Sequence, residues 1–138
     1  MKIRPFILGD EEAVIALWHK CNLIRPNNDP KKDIDRKLKA NPELFLVGVE
    51  GNKIIATAMG GYEGHRGWVN YLGVDPACRK KGLGRKMMEA IEKKLLQRGC
   101  PKLNLQVLIG NTGAMKFYER IGYKKDEVFS FGKRLIPD

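Results

Sequence analysis

At 138 residues, 43% hydrophobic and 30% charged, the chain is long enough to bury one core and too polar for a membrane-embedded protein. Its 26 Lys and Arg against 16 Asp and Glu give a net charge of +10, which attracts phosphorylated ligands and nucleic acid alike and does not choose between them. The longest clean apolar run, Leu44-Phe45-Leu46-Val47, is far short of a membrane span. Arg4, Asp10, Glu11 and Glu12 interrupt any signal-peptide stretch, so a cytoplasmic location is expected.

Taken in order, Lys2 to Phe6 reads as a first strand, and Gly9-Asp10 as a break and helix N-cap with Glu11 and Glu12 in the first turn. Val14, Leu17/Trp18 and Cys21 share one helical face, and the helix should end near Asn22. After the polar connector Arg25 to Pro30, Asp29-Pro30 is a cap followed by an N1 proline. A charged helix over 31–40 is expected there, with only Ile34 and Leu38 as its apolar stripe. Leu44 to Glu50 and Lys53 to Met59 read as strands joined by a Gly51-Asn52 hairpin turn.

The glycine-rich stretch from Gly60 to Gly67 precedes a strand from Trp68 to Val74. Gly82 to Arg98 is the main amphipathic helix, with Leu83, Met87, Ile91 and Leu95 inward and Gly99 as its stop. Leu103 to Leu108 alternates as a strand, Gly110-Asn111-Thr112 opens a last helix ending at Gly122, and Tyr123 to Leu135 reads as one or two closing strands. No repeat or linker divides the chain, so residues 1–138 are expected to form one α/β domain with a mixed sheet. Three widely spaced cysteines, Cys21, Cys78 and Cys100, contain no Cys-x-x-Cys pair and argue against disulfides and zinc; no metal is expected.

The most informative stretch is Val74-Asp-Pro-Ala-Cys-Arg-Lys-Lys-Gly-Leu-Gly-Arg85. A strand runs into three cations (Arg79, Lys80, Lys81) and two glycines (Gly82, Gly84), then a helix begins. Unpaired N–H groups at a helix start carry partial positive charge, and glycine lets a phosphate approach them closely. A Walker loop fails because Arg85-Lys86 follows Gly84, and a dinucleotide fingerprint fails because Met87 occupies the third glycine position. Arg79-x-x-Gly82-x-Gly84 instead resembles the acetyl-CoA pyrophosphate loop of the GNAT superfamily of N-acetyltransferases.

A second motif, Asn111-x-x-Ala114-x-x-Phe117-Tyr118-x-x-x-Gly122-Tyr123, stands where that superfamily carries its own asparagine and tyrosine signature. The element order also resembles that of the superfamily over nearly the whole chain. Arg25-Pro26-x-Asn28-Asp29-Pro30 and Gly60-Gly61-Tyr62-x-Gly64-His65-Arg66-Gly67 look closer still to the small bacterial YpeA-type acetyltransferases. The resemblance implies a single GNAT-like domain with a mixed twisted sheet of six to seven strands and four helices. It also implies that a central parallel strand pair is splayed around the acyl-CoA.

Roles follow by position. The backbone of Leu72-Gly73-Val74 would pair with the pantetheine arm, and an N–H near Leu72 would serve as oxyanion donor. Amides of Lys81, Gly82, Leu83, Gly84, Arg85 and Lys86 would cradle the pyrophosphate, with Arg79 and Lys80 adding charge. Asn111 would bond the arm, Ala114 and Phe117 would complete the motif packed against it, and Tyr118 would protonate the departing thiolate as general acid. The cosubstrate implied is acetyl-CoA and the acceptor an amine, on a small molecule or a peptide N-terminus. The protein would act as a monomer or homodimer.

The acceptor must be neutral to attack, and at pH 7 a lysine amine (pKa about 10.4) is neutral in well under 1% of molecules, an α-amine in roughly a tenth or more. Ribosomal-protein N-terminal acetyltransferases of this superfamily place a glutamate base where this chain has Gln106, which cannot take a proton. Glu63 and His65 are candidate bases, Asn28, Asp29 and Tyr62 candidate acceptor contacts, and Arg25 and Arg66 candidate grips for an acidic acceptor. Transfer of a longer acyl chain, a CoA-sensing module without catalysis, and a basic nucleic-acid-binding domain are the competing functions. The last is disfavoured because a cationic helix start is what a phosphorylated cosubstrate needs in any case.

Overall fold

The computed structural model describes residues 1–138 as two compact units, 1–105 and 106–138. In the first, strands β1 (Lys2–Pro5), β2 (Phe45–Glu50), β3 (Lys53–Tyr62) and β4 (Gly67–Val74) form an antiparallel array in chain order. Strand β5 (Leu103–Asn104) adds to β4 in parallel. Helices α1 (Glu11–Lys20) and α2 (Pro30–Lys37) cover one face and α3 (Leu83–Gln97) the other. The second unit contains α4 (Thr112–Arg120). No helix is long and apolar enough to cross a membrane.

The four helices are those the residue patterns predict, while the sheet has five strands rather than six to seven. The one or two closing strands expected from Tyr123 to Leu135 account for the difference, and the strand expected over Leu103 to Leu108 is present but short. Pairing of Leu103 to Leu108 stops at Asn104, and nothing from Tyr123 to Leu135 is extended in a ladder, although Phe129 and Phe131 are 92% and 93% exposed. Alternation supplies a face for a strand, but a strand also needs a neighbouring backbone to bond, and no ladder partner is present there. Helix α2 is shorter than expected and β3 longer, running through Gly60-Gly61 to Tyr62 because Val69, Trp68 and Gly67 pair with those residues.

Trp18, Phe45 and Phe6 anchor the core under α1 and α2, joined by Val14, Ile34, Val47 and Met59. Phe6 stacks on Phe45 at 4.5 Å, and Phe45 faces Trp18 at 6.1 Å. On the opposite face Met87, Ile91 and Leu95 of α3 are buried. A Cβ on Gly67 would stand 2.8 Å from Leu95 and 3.0 Å from the Cys100 sulfur, so this glycine is what lets α3 lie close to β4.

Asp10 does not cap α1 as its position suggests. Its carboxylate takes both guanidinium nitrogens of Arg4 at 2.7 and 2.9 Å and the Ile7 amide at 2.9 Å, tying β1 to the turn before the helix. These bonds, the Arg4 one foremost, hold its carboxyl below the ordinary carboxylate range. A carboxylate of lowered pKa stabilises the fold above the unfolded value of about 3.9, and this is lost as pH falls through the folded value. Asp10→Asn is therefore expected to lower stability by about 1.5–3 kcal/mol at pH 7, the range for hydrogen bonds to charged groups. In thermal melts run against pH, the gap from wild type should close below about pH 4; a gap that does not change with pH would show that packing alone is lost.

Candidate active site

Asp75 follows β4, and its carboxylate accepts from the Ala77 amide at 3.0 Å, capping the turn Pro76–Cys78. Arg79 then folds back so that its Nε donates to Val74 O at 3.1 Å, which fixes the basic loop against the end of the strand. Lys80 adopts φ +65° and Gly82 φ +75°, two left-handed turns that swing the chain into α3. Only glycine takes such a φ freely, and Gly82 stands at the helix cap.

No side chain caps this helix, and its first internal bond is Lys86 N–H to Gly82 O at 3.1 Å. The amides of Leu83, Gly84 and Arg85 are thus the uncommitted donors of the first turn, whereas the Lys86 amide, expected among them, is taken by the helix itself. The Arg85 side chain lies 3.4 Å from Glu89 along the exposed face of the helix. Lys80 and Lys81 are exposed beside it.

Leu72, Gly73 and Val74 lie at the C-terminal end of β4. Gly73 backs onto α1 and the loop after it, 3.0 Å from Leu23 and 3.2 Å from the Cys21 sulfur measured from where a Cβ would stand. Leu72 follows a bulge. Thr57 pairs with Gly73 and Met59 with Asn70, so Ala58 alone opposes both Tyr71 and Leu72. Tyr71 takes φ +53°, which is strained for an aromatic residue and persists only if its surroundings hold it.

They do. The Tyr71 ring stacks on Trp18 at 3.8 Å, and its carbonyl accepts from the Thr57 hydroxyl at 2.9 Å. That hydroxyl in turn accepts from the Trp18 indole at 2.9 Å. The Tyr71 hydroxyl donates to Asp33 and accepts from Asn28, each at 2.5 Å. On its other side β4 pairs with β5 only at Gly67–Leu103 and Trp68–Asn104, so from Val69 to Val74 that edge has no strand partner.

The candidate acceptor residues are mostly engaged in local structure. Asn28 also accepts from the Arg25 amide at 2.6 Å, shaping the connector, and Asp29 caps α2 by accepting from Lys32 N at 3.1 Å. Glu63 accepts from the His65 and Arg66 amides at 2.7 and 2.5 Å. Those bonds hold its carboxyl below the usual range, which makes it a weaker base. Arg66 donates back to His65 O at 2.9 Å, and Tyr62 N bonds Asn41 at 3.2 Å.

In the second unit, Asn111 caps α4, its side-chain oxygen accepting from Ala114 N at 3.1 Å, which leaves its amide NH2 for a ligand. Phe117 and Tyr118 meet edge to face at 5.0 Å, and Tyr123 packs on Tyr118 at 5.8 Å. Burial pushes the Tyr118 phenol up to about 12, so it stays protonated through the physiological range. Gln106 donates to the Ser130 hydroxyl at 2.5 Å.

Tyr71, Trp18 and Asp33 escape the motif reading because no pattern marks a tyrosine that must turn left-handed. Thr57 alone left a trace, as a polar residue inside the apolar run Ile54 to Met59. No group of three His, Cys, Asp or Glu stands where it would hold a metal.

The chain matches the acetyltransferase (GNAT) family over residues 12–123. It is 47% identical to acetyltransferase ECA0875 of Pectobacterium atrosepticum over 138 residues, covering 100% of this chain and 98% of that protein. With acetyltransferase YE1169 of Yersinia enterocolitica it shares 48% identity over the same span and coverage. Among solved structures it superposes on AAC(6')-Iy in complex with a bisubstrate analog, CoA-S-monomethyl-acetylneamine, with a TM-score of 0.77. That match has 18% identity and covers 96% of this chain and 97% of the other.

Proposed function

We propose, from the premise that this chain belongs to the acetyltransferase (GNAT) family and is an acyltransferase that uses acetyl-CoA, that it acetylates a primary amine by direct attack within a ternary complex. Residues 1–138 act in this reading as a single catalytic domain, of the small bacterial YpeA type. The observation that carries it is the pairing of two features around Val74: a β4 edge without a strand partner beyond Trp68, and a helix start with uncommitted amides and exposed lysines. An extended amide-bearing arm satisfies such an edge as a strand would, and a diphosphate satisfies such a helix start.

In this reading the amides of Leu83, Gly84 and Arg85, with Lys80 and Lys81, hold the diphosphate. The β4 edge from Leu72 to Val74 aligns the arm, and Asn111 and Phe117 contact it. Acetyl-CoA supplies the acetyl group as a thioester. The neutral acceptor nitrogen forms a bond to the thioester carbon while the Leu72 amide stabilises the oxygen as it gains charge. The carbon–sulfur bond then breaks, sulfur leaves with the electron pair, and Tyr118 gives it a proton that water later restores. The proton lost by the nitrogen goes to water; Gln106 cannot take one and the Glu63 carboxylate is engaged in its turn.

Acetyl-CoA is expected to raise the melting temperature progressively, stabilising the fold by about 2.7 kcal/mol at a hundredfold excess over Kd. The absence of any shift at millimolar acetyl-CoA in a thermal-shift titration would overturn the reading.

A further inference from the structure

We propose that the cleft between α2 and strands β3–β4 is the acceptor subsite, and that Lys37 selects an amine bearing a carboxylate several bonds away, as in a dipeptide or an ω-amino acid. The inference rests on the acetyltransferase reading and deepens it. The cleft, about 540 Å3, is lined by Asp33, Arg36, Lys37, Met59, Asn70 and Tyr71. Tyr71 is the bulge residue immediately before Leu72, so a molecule lying in the cleft ends beside the strand segment that faces the thioester in the proposed reaction.

The charges in the cleft do not suit a simple amine. Asp33 is its one carboxylate, and it already takes the Tyr71 hydroxyl and stands 3.8 Å from Arg36. Lys37 is half-buried, and burial pulls its ammonium below the ordinary lysine range. Its ammonium donates to Gly60 O, and the nearby Glu43 is bonded to Arg98 at 2.7 Å. An ammonium has three donors, so the half-buried Lys37 head keeps capacity for an anion, and a hydrogen bond between two charged groups is stronger than one between neutral groups. A cation entering alone meets two like charges against one engaged carboxylate, whereas an amine that brings its own carboxylate neutralises Lys37.

The spacing sets the class. Gly60, on which the Lys37 ammonium rests, pairs with Val69, three residues before Leu72. That is roughly 10 Å along the strand. Hydrogen-bond and attack distances of about 3 Å at each end leave a few ångströms between nitrogen and carboxylate, which suits β-alanine, 4-aminobutyrate or glycylglycine better than glycine.

The test is steady-state acetyl transfer to these four acceptors and to their amides, in wild type, Lys37→Gln and Lys37→Arg, with acetyl-CoA Kd measured for each variant. Amides have the less basic amines, so amine ionisation favours them, and a preference for the acid is read against that bias. The expected result is a kcat/KM at least about tenfold higher for a longer acid than for its amide, carried by KM. The ratio should fall towards one in Lys37→Gln and largely return in Lys37→Arg.

Equal use of acid and amide, a ratio unchanged in Lys37→Gln, or transfer to none of the acids while acetyl-CoA still binds would each overturn this inference alone. Failure of wild type to bind acetyl-CoA would overturn the acetyltransferase reading and this inference with it. A melting temperature for each variant separates lost recognition from a lost Lys37–Gly60 bond, and Lys37→Arg restores the charge if charge is the cause.

Discussion

Tyr118→Phe is expected to lower kcat by about a hundredfold, at the lower end of general acid catalysis, with little change in acetyl-CoA Kd. The substitution removes one oxygen and keeps the ring that meets Phe117 and Tyr123 edge to face, so packing is preserved. Burial raises the phenol to about 12, which has two consequences. It keeps the proton in place at every pH where amines become neutral. It also makes the phenol a weaker acid than usual against a thiol of ordinary pKa near 8.5, which is why the expected loss lies at the low end.

The sign of the pH dependence follows. Activity should rise with pH as the acceptor amine deprotonates, and no fall assignable to Tyr118 should appear below about pH 11. Stability, in contrast, should decline between about pH 10, where an unfolded tyrosine ionises, and about 12, and this decline should be absent in the Phe variant. A Phe variant with undiminished kcat would remove Tyr118 as the acid.

Thr57→Val should be the most damaging conservative change in the core. Valine matches the shape of threonine, so no cavity opens, but one hydroxyl serves two partners. It accepts from the Trp18 indole and donates to Tyr71 O, both at 2.9 Å, at a residue with no solvent exposure. Its loss leaves the indole N–H buried without an acceptor, at a cost of about 1–3 kcal/mol, and a drop of several degrees in melting temperature is expected.

The second effect is on catalysis. Tyr71 O is one of the anchors that hold φ at +53°, and Leu72 is the next residue, so a loosened bulge should lower kcat about tenfold beyond what stability explains. Thr57→Ser retains the hydroxyl and should recover most of kcat. A valine variant with wild-type melting and wild-type kcat would show that the Trp18–Tyr71 stack and the Tyr71 hydroxyl bonds to Asp33 and Asn28 hold the bulge without the Thr57 hydroxyl.

Local residue chemistry determined much of this protein by itself. The cap Asp29 with Pro30, the Gly51-Asn52 turn, the helix start at Gly82, the stop at Gly99 and the Asn111 cap are all present where short-range rules place them. Each depends on groups within a few residues, so spacing alone is enough to find it. The local structure of the basic glycine loop and of the asparagine–tyrosine stretch was legible for the same reason.

Tertiary structure decided what depends on distant partners. Asp10 looks like a cap from its neighbours, but a guanidinium six residues away on β1 claims it. The strand expected over residues 103–108 ends at Asn104 because a ladder requires a second backbone, which alternation cannot supply. The bulge at Tyr71 needs Thr57 from β3, Trp18 from α1 and Asp33 from α2, and the Lys37 ammonium reaches Gly60 across 23 residues of chain. No periodicity records such convergences, because each element satisfies its own pattern whether or not the others arrive. They exist only once the sheet brings β3 and β4 under the two helices.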